Sequence, residues 1–99
     1  MVPSPTESTL LVEARLLQKA EGALRRGDAA AALYVLGELD RTVPQGQLGQ
    51  ERQAARVLAG CLWNADAVAR ASARSYLAQH PASAYSDRIR EACALIGDE

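Results

Sequence analysis

The sequence predicts an all-α fold of five antiparallel helices, and three observations support this prediction. Apolar residues recur at steps of three and four along most of the chain, which is the spacing of one helix face. About a fifth of the chain is alanine and only 4% is aromatic, a composition that suits closely approaching helices better than sheets. Glycine, aspartate or proline separates the apolar stretches, and such short turns favour antiparallel neighbours.

The first two helices are bounded by clear start and stop signals. Residues 1–7 carry two prolines, so they predict a flexible N-terminal linker. The first helix is expected from Ser8 or Thr9 to Arg26, and Gly27 ends it. Asp28 is the natural N-cap of the second helix, which Pro44 stops.

The remaining three helices follow the same plan. The third is predicted over Leu48 to Trp63, the fourth over Ala65 to Gln79, and the fifth over Ala84 to Ile96 with Ser83 as its cap. One apolar face of the third helix is predicted to hold Ala54, Val57, Leu58, Cys61 and Leu62. The chain therefore divides into helical hairpins 8–44 and 47–81 and a capping helix 83–96, which together form one domain over residues 8–99.

Composition and motif content exclude several function classes. Hydrophobic residues make up 48%, charged residues 23%, and the net charge is -1, which describes a folded domain without the positive charge that nucleic-acid binding needs. No apolar run is long enough for direct membrane insertion. One histidine and two cysteines fall short of a four-ligand metal site, and no nucleophile stands at a telling distance from a base. We therefore expect a non-enzymatic protein with no metal and no cofactor.

The two hairpins repeat one pattern. Pro44 and Pro81 set a repeat of 37 residues, the difference between their numbers, which places Ala32 on Ala69. This pattern resembles the second half of a tetratricopeptide repeat, whose period is about 34 residues. The phrases ALRRGDAAAAL, QERQAARVLAGC and YLAQHPASAYSDRIREAC are more narrowly similar to short repeat modules of bacterial envelope and regulatory proteins.

The resemblance implies a protein or peptide partner held in a concave groove along the first helix of each hairpin. The groove positions carried over from the family are Leu17, Glu21, Leu24, Arg25, Glu51, Ala54, Leu58, Asp87 and Glu91. This mixed to acidic groove lacks the lysine and asparagine arrangement with which some family members clamp a carboxylate. The resemblance therefore favours a peptide with basic and apolar residues.

An alternative function is self-assembly, either as a homo-oligomer or by stacking on further repeats of a longer chain. Two hairpins are fewer than repeat folds usually need, so exposed end faces are expected. Trp63 is interpreted as a packing lid on the second hairpin in preference to a binding anchor. His80, before Pro81 at a helix end, is expected to have a structural or solvent-facing role.

Two interpretations of the cysteines stay open at this point. Cys61 and Cys93 are either two buried small apolar residues or a disulfide between the third and fifth helices, where the repeat register places them at similar heights. The localisation depends on this choice. Unpaired cysteines are consistent with the bacterial cytoplasm, whereas a disulfide favours the periplasmic part of a longer envelope protein.

Overall fold

Five α-helices form the structure, a computed structural model that describes residues 5–95, with side chains from residue 8. The helices are α1 (Pro5–Arg25), α2 (Ala29–Thr42), α3 (Gly49–Trp63), α4 (Ala67–Gln79) and α5 (Ser86–Ala92). Every regular element in this range is helical, which confirms the predicted all-α class and the number of helices.

The first helix begins earlier than the sequence predicted. α1 starts at Pro5, because proline fits the first turn of a helix, where its missing N–H is not needed. The predicted linker is therefore wrong for residues 5–7, and its remaining part, residues 1–4, lies outside the described residues. At its other end Gly27 adopts a φ of 74°, and the Asp28 N–H donates to the Ala23 carbonyl at 2.9 Å. This left-handed glycine closes the helix as expected.

Aspartates cap the second and fourth helices. The Asp28 carboxylate accepts from the Ala31 N–H at 3.1 Å, as predicted for α2. In α4 the Asp66 carboxylate accepts from the Ala69 N–H at 2.8 Å, so this helix starts two residues after the predicted Ala65. A side chain that satisfies a free helical N–H decides the boundary in both cases.

The fifth helix is much shorter than predicted. Ser83 does not cap it; instead the Ser83 hydroxyl accepts from the Tyr85 N–H at 3.1 Å and the Ser83 carbonyl from the Ser86 N–H at 3.0 Å, which makes a turn. After α5, Ala94 has a φ of 55° and the Leu95 N–H donates to the Arg90 carbonyl at 2.8 Å, which ends the helix. The predicted end, Ile96, lies outside the described residues.

The core is built around α3, which contacts each of the other four helices. Ala54, Ala55 and Ala59 are fully buried on this helix, and their small side chains let the neighbouring helices approach closely. The sequence predicted the burial of two side chains at the end of α3 wrongly. Leu62 is 40% exposed and not on the buried face, and Trp63 is 65% exposed and does not act as a packing lid.

Candidate functional site

The surface formed by α1, α3 and α5, which we call the first-helix face, carries the nine residues predicted to form a groove. The structure separates them into two sets. The apolar members are buried and belong to the core: Leu17, Leu24, Ala54 and Leu58. The charged members Arg25, Glu51, Asp87 and Glu91 are exposed, and Glu21 is half-buried.

Four of these positions therefore need correction. Leu17 and Ala54 do not offer an open groove floor, because they fill the space between helices and are at most 5% exposed. Leu24 and Leu58 are also buried, but each borders a surface cleft. The prediction from the family register did not allow for how much of this face the packing of α1 on α3 covers.

A surface cleft with a volume of about 300 Å³ opens on the first-helix face. We call it the leucine cleft; its lining residues are Leu24, Leu58, Leu62, Arg88, Glu91 and Ala92. α1 supplies one wall residue, α3 two and α5 three. The floor is apolar and the charged residues lie on the α5 side, so the cleft combines an apolar contact with a polar edge.

Tyr85 forms a bridge across the first-helix face. Its hydroxyl donates to the Glu21 carboxylate, so a side chain that precedes α5 reaches α1 although the backbones of these two helices do not pack against each other. Burial, and then the hydrogen bond to Glu21, raise the pKa of Tyr85 above its ordinary value. The Arg88 guanidinium lies over the Tyr85 ring, 5.4 Å from its centroid. Glu21 is thus a structural acceptor as well as a charge on this face.

Among the nine predicted residues, the exposed charges are mostly acidic, but the half-buried Arg88 and Arg90 of α5 offset them on the same face. Glu51, Asp87 and Glu91 are exposed carboxylates, whereas Arg25 is the exposed cation of the predicted set. Asp87 Oδ1 lies 3.5 Å from Arg90 Nη1, and an ion pair of this kind at the surface contributes little to stability. Within residues 8–95 neither Glu51 nor Glu91 forms an ion pair, so both carboxylates are open to a ligand.

Sequence reasoning missed a buried ionic network at the opposite end of α1. Glu13 has no exposed surface, and its carboxylate accepts from the Gln47 N–H at 2.8 Å, the Leu48 N–H at 3.2 Å and Arg52 Nη1 at 3.1 Å. Arg52 also donates to the Val43 carbonyl at 2.8 Å. The network holds the turn between α2 and α3 against α1, so its role is structural.

Asp40 extends this network to the surface. Its carboxylate accepts from Arg52 at 2.8 Å and from Arg56 at 2.7 Å. Burial alone would raise the pKa of Glu13, but hydrogen bonds from Gln47, Arg52 and Leu48 outweigh it and hold that pKa below its ordinary value. The pKa of Asp40 is also lowered, because its arginine partners outweigh the burial.

One signal in the sequence could have indicated the network. Glu13 falls three residues after Leu10 and four before Leu17, which places a carboxylate on the apolar face of α1. A charge there needs a partner, and the glycine at position 46 leaves room for one. A Cβ atom at Gly46 would overlap the Glu13 carboxylate, so the turn can approach α1 only because this residue has no side chain.

The sulfur atoms of Cys61 and Cys93 are bonded in a disulfide. The Cα atoms of the two residues lie 5.1 Å apart, and both residues are buried, with at most 4% of their surface exposed. Their neighbours Leu62 and Ala92 line the leucine cleft from α3 and α5. The bond therefore ties together two walls of this cleft.

Residues 8–95 hold no group of three histidine, cysteine or acidic side chains that could ligate a metal ion. His80 lies against Tyr76, with 4.9 Å between the ring centroids. None of the helices in the described range is long and apolar enough to span a membrane.

Comparison with protein-family models, curated proteins and solved structures gives no match for this chain. The resemblance to tetratricopeptide repeats therefore stays a prediction that rests on the residues quoted above.

Proposed function

We propose that the chain is a non-enzymatic protein-interaction module of the tetratricopeptide-repeat type, which binds a peptide or partner protein on its first-helix face. The observation that carries the proposal is the leucine cleft, because Leu24, Leu58 and Glu91 border it from three different helices. All three were among the residues predicted to form one groove. Apolar walls beside a few charged groups are typical of sites that hold a peptide side chain.

The packing of the helices supports the same proposal. The backbone of α3 packs closely against both α1 and α5, whereas the backbones of α1 and α5 do not pack against each other. The first helices are therefore lined up in chain order, with α3 in the middle. This arrangement gives helical repeat proteins an extended binding surface.

A binding role also agrees with how the reactive side chains are used. Cys61 and Cys93 are bonded to each other, His80 lies against an aromatic ring, and the Glu13 carboxylate is occupied by its donors. The groups best suited to nucleophilic or acid–base chemistry thus have structural partners.

The disulfide supports an oxidising location for the protein. Disulfides persist outside the reducing cytosol, so the proposal includes residence in a compartment such as the periplasm. Mass spectrometry of thiol-alkylated protein from its native host tests this part. Alkylation of both cysteines without prior reduction would contradict it.

Selection from a random peptide library, followed by affinity measurements on two leucine variants, tests the proposed function. Leu62→Glu places a charge in the wall of the leucine cleft, and we expect the selected peptides to lose most of their affinity. Leu11→Glu is the matched control, because Leu11 is 54% exposed on α1 and does not line the cleft. Equal binding to both variants would overturn the proposal.

A second candidate function is self-assembly, and the exposed apolar residues near the α3–α4 turn favour it. Trp63 is 65% exposed and Val68 is 75% exposed, and exposed tryptophan is a common anchor at interfaces. Light scattering against concentration tests this candidate. If Trp63 mediates self-assembly, Trp63→Ser lowers the apparent mass whereas Tyr34→Ser, an exposed aromatic on α2, leaves it unchanged.

A further inference from the structure

The position of Glu51 relative to the leucine cleft defines a spacing that a ligand can match. Glu51 lies in the first turn of α3, and Leu58 in the cleft lies seven residues later on the same helix. Seven residues complete almost two turns, so both side chains are on the same side of α3. The rise of about 1.5 Å per residue separates them by roughly 10 Å along the axis.

An extended peptide covers this distance in three residues. Each residue of an extended chain advances about 3.3–3.6 Å, so three residues span roughly 10 Å. A ligand with one side chain in the leucine cleft therefore places the residue three positions along its chain at the level of Glu51. The volume of about 300 Å³ is at the lower limit for ligand sites, which suits a single side chain.

The chemistry of the two positions differs. Leu24, Leu58 and Leu62 present an apolar floor. An aliphatic side chain that covers this floor is itself removed from water, which favours binding. Glu51 presents an exposed carboxylate with no ion pair among residues 8–95.

We propose that the first-helix face selects peptides that carry an aliphatic residue in the leucine cleft and a lysine or arginine three residues away, paired with Glu51. This inference rests on the proposed function and adds the spacing and charge of the ligand. The exposed carboxylate of Glu51, which forms no ion pair within residues 8–95, favours a basic over an acidic ligand group at its level. In the cleft itself Glu91 and Arg88 carry opposite charges, so the preference for a cation is assigned to Glu51 alone.

Four capped heptapeptides test the proposal by nuclear magnetic resonance titration of the leucine methyl groups. The probe GKSSLSG has lysine three residues before leucine, GSSKLSG has lysine next to leucine, GESSLSG reverses the charge, and GKSSSSG lacks the leucine. We expect GKSSLSG to bind about twofold to fivefold more tightly than GESSLSG, the ratio typical of an exposed ion pair. Loss of the leucine should weaken binding about tenfold or more.

The charge-reversal variant Glu51→Lys separates this inference from a general attraction of cations. In this variant GKSSLSG should weaken, GESSLSG should gain, and GSSKLSG should stay unchanged, because its lysine lies beside the cleft and not at the level of residue 51. Equal changes for both lysine probes would overturn the assigned spacing.

Failure of this inference is distinguishable from failure of the proposed function. If the library peptides lose their affinity for the Leu62→Glu variant but carry no basic residue three positions from an aliphatic one, the proposed spacing is wrong and the proposed binding site stands. Binding of GESSLSG at least as tight as that of GKSSLSG would also overturn the inference alone. If the library peptides are insensitive to Leu62→Glu, both fail.

Discussion

At the scale of single residues, the carboxylate of Glu13 organises the turn between α2 and α3. Two backbone N–H groups and one guanidinium converge on it in a site with no exposed surface. Such a group is stable in a core only while every donor is present, since a buried charge without partners is costly. The sequence pattern could place Glu13 on the apolar face of a helix, but its partners come from residues more than thirty positions away.

We expect Glu13→Gln to destabilise the protein by about 1.5–3 kcal/mol, because the amide keeps one acceptor oxygen for three donors, although Arg52 retains its other carboxylate partner, Asp40. Urea unfolding measures the change in the free energy of unfolding. Glu51→Gln is the control, since this exposed side chain forms no ion pair within residues 8–95, and its effect should stay within about 0.5 kcal/mol. Similar midpoints for the two variants would mean that the network adds no stability.

Acid should weaken the same network. The pKa of Glu13 is lower in the folded protein than its ordinary value of 4.5, so folding favours the ionised form. The stability that this shift provides is fully present above the ordinary value and is lost as the pH falls through the folded pKa. Unfolding midpoints measured from pH 7 down to pH 3 should therefore fall less in Glu13→Gln than in the unmodified protein. Parallel curves would contradict this assignment.

Gly46→Ala should destabilise the protein by about 1–3 kcal/mol, because the added Cβ overlaps the Glu13 carboxylate and forces the turn away from α1. Gly49→Ala is the matched control, since nothing lies within 4 Å of a Cβ built at that position. Thermal melting of the two variants measures the difference. If Gly49→Ala is the more harmful change, the close approach at Gly46 is not what limits the turn.

At the scale of helices, the sequence predicted those ends that depend on neighbouring residues. Asp28 caps α2 through a hydrogen bond that spans three residues, and this bond is visible in the sequence pattern. α5 ends before Ala94, whose φ of 55° is unusual for an alanine, so no residue type in the sequence marks this end. Trp63 was misjudged because whether a side chain at a helix end is covered depends on what packs beside it.

The two small residues matched by the repeat are not equivalent in the structure. Ala32 is fully buried, so Ala32→Leu should destabilise by about 1–3 kcal/mol through overpacking. Ala69 is only partly buried and lines a wider cleft between α3 and α4, so Ala69→Leu should cost clearly less. Chemical denaturation of both variants measures the contrast. Equal losses would indicate that Ala69 lies in a tight helix crossing as well.

At the scale of the whole molecule, the disulfide attaches the short α5 to the centre of the fold. The bonded residues are separated by 32 positions, and the chain-entropy argument gives a stabilisation of about 3–4 kcal/mol for such a loop. The double variant Cys61→Ala with Cys93→Ala should lose about this amount. Calorimetry of the variant and of the oxidised protein measures it, and unchanged melting would show that packing of α5 suffices.

The central position of α3 has a consequence for how the molecule opens. Without α3, the helix packing that remains joins α1 to α2 and α4 to α5, and the Tyr85–Glu21 hydrogen bond links the two pairs. Two such helix pairs are each too small to bury a core of their own. We therefore expect the chain to unfold as one cooperative unit although it repeats a hairpin pattern. The slowest amide hydrogens of both hairpins should exchange with the same free energy of opening, because we expect neither hairpin to stay folded when the other unfolds.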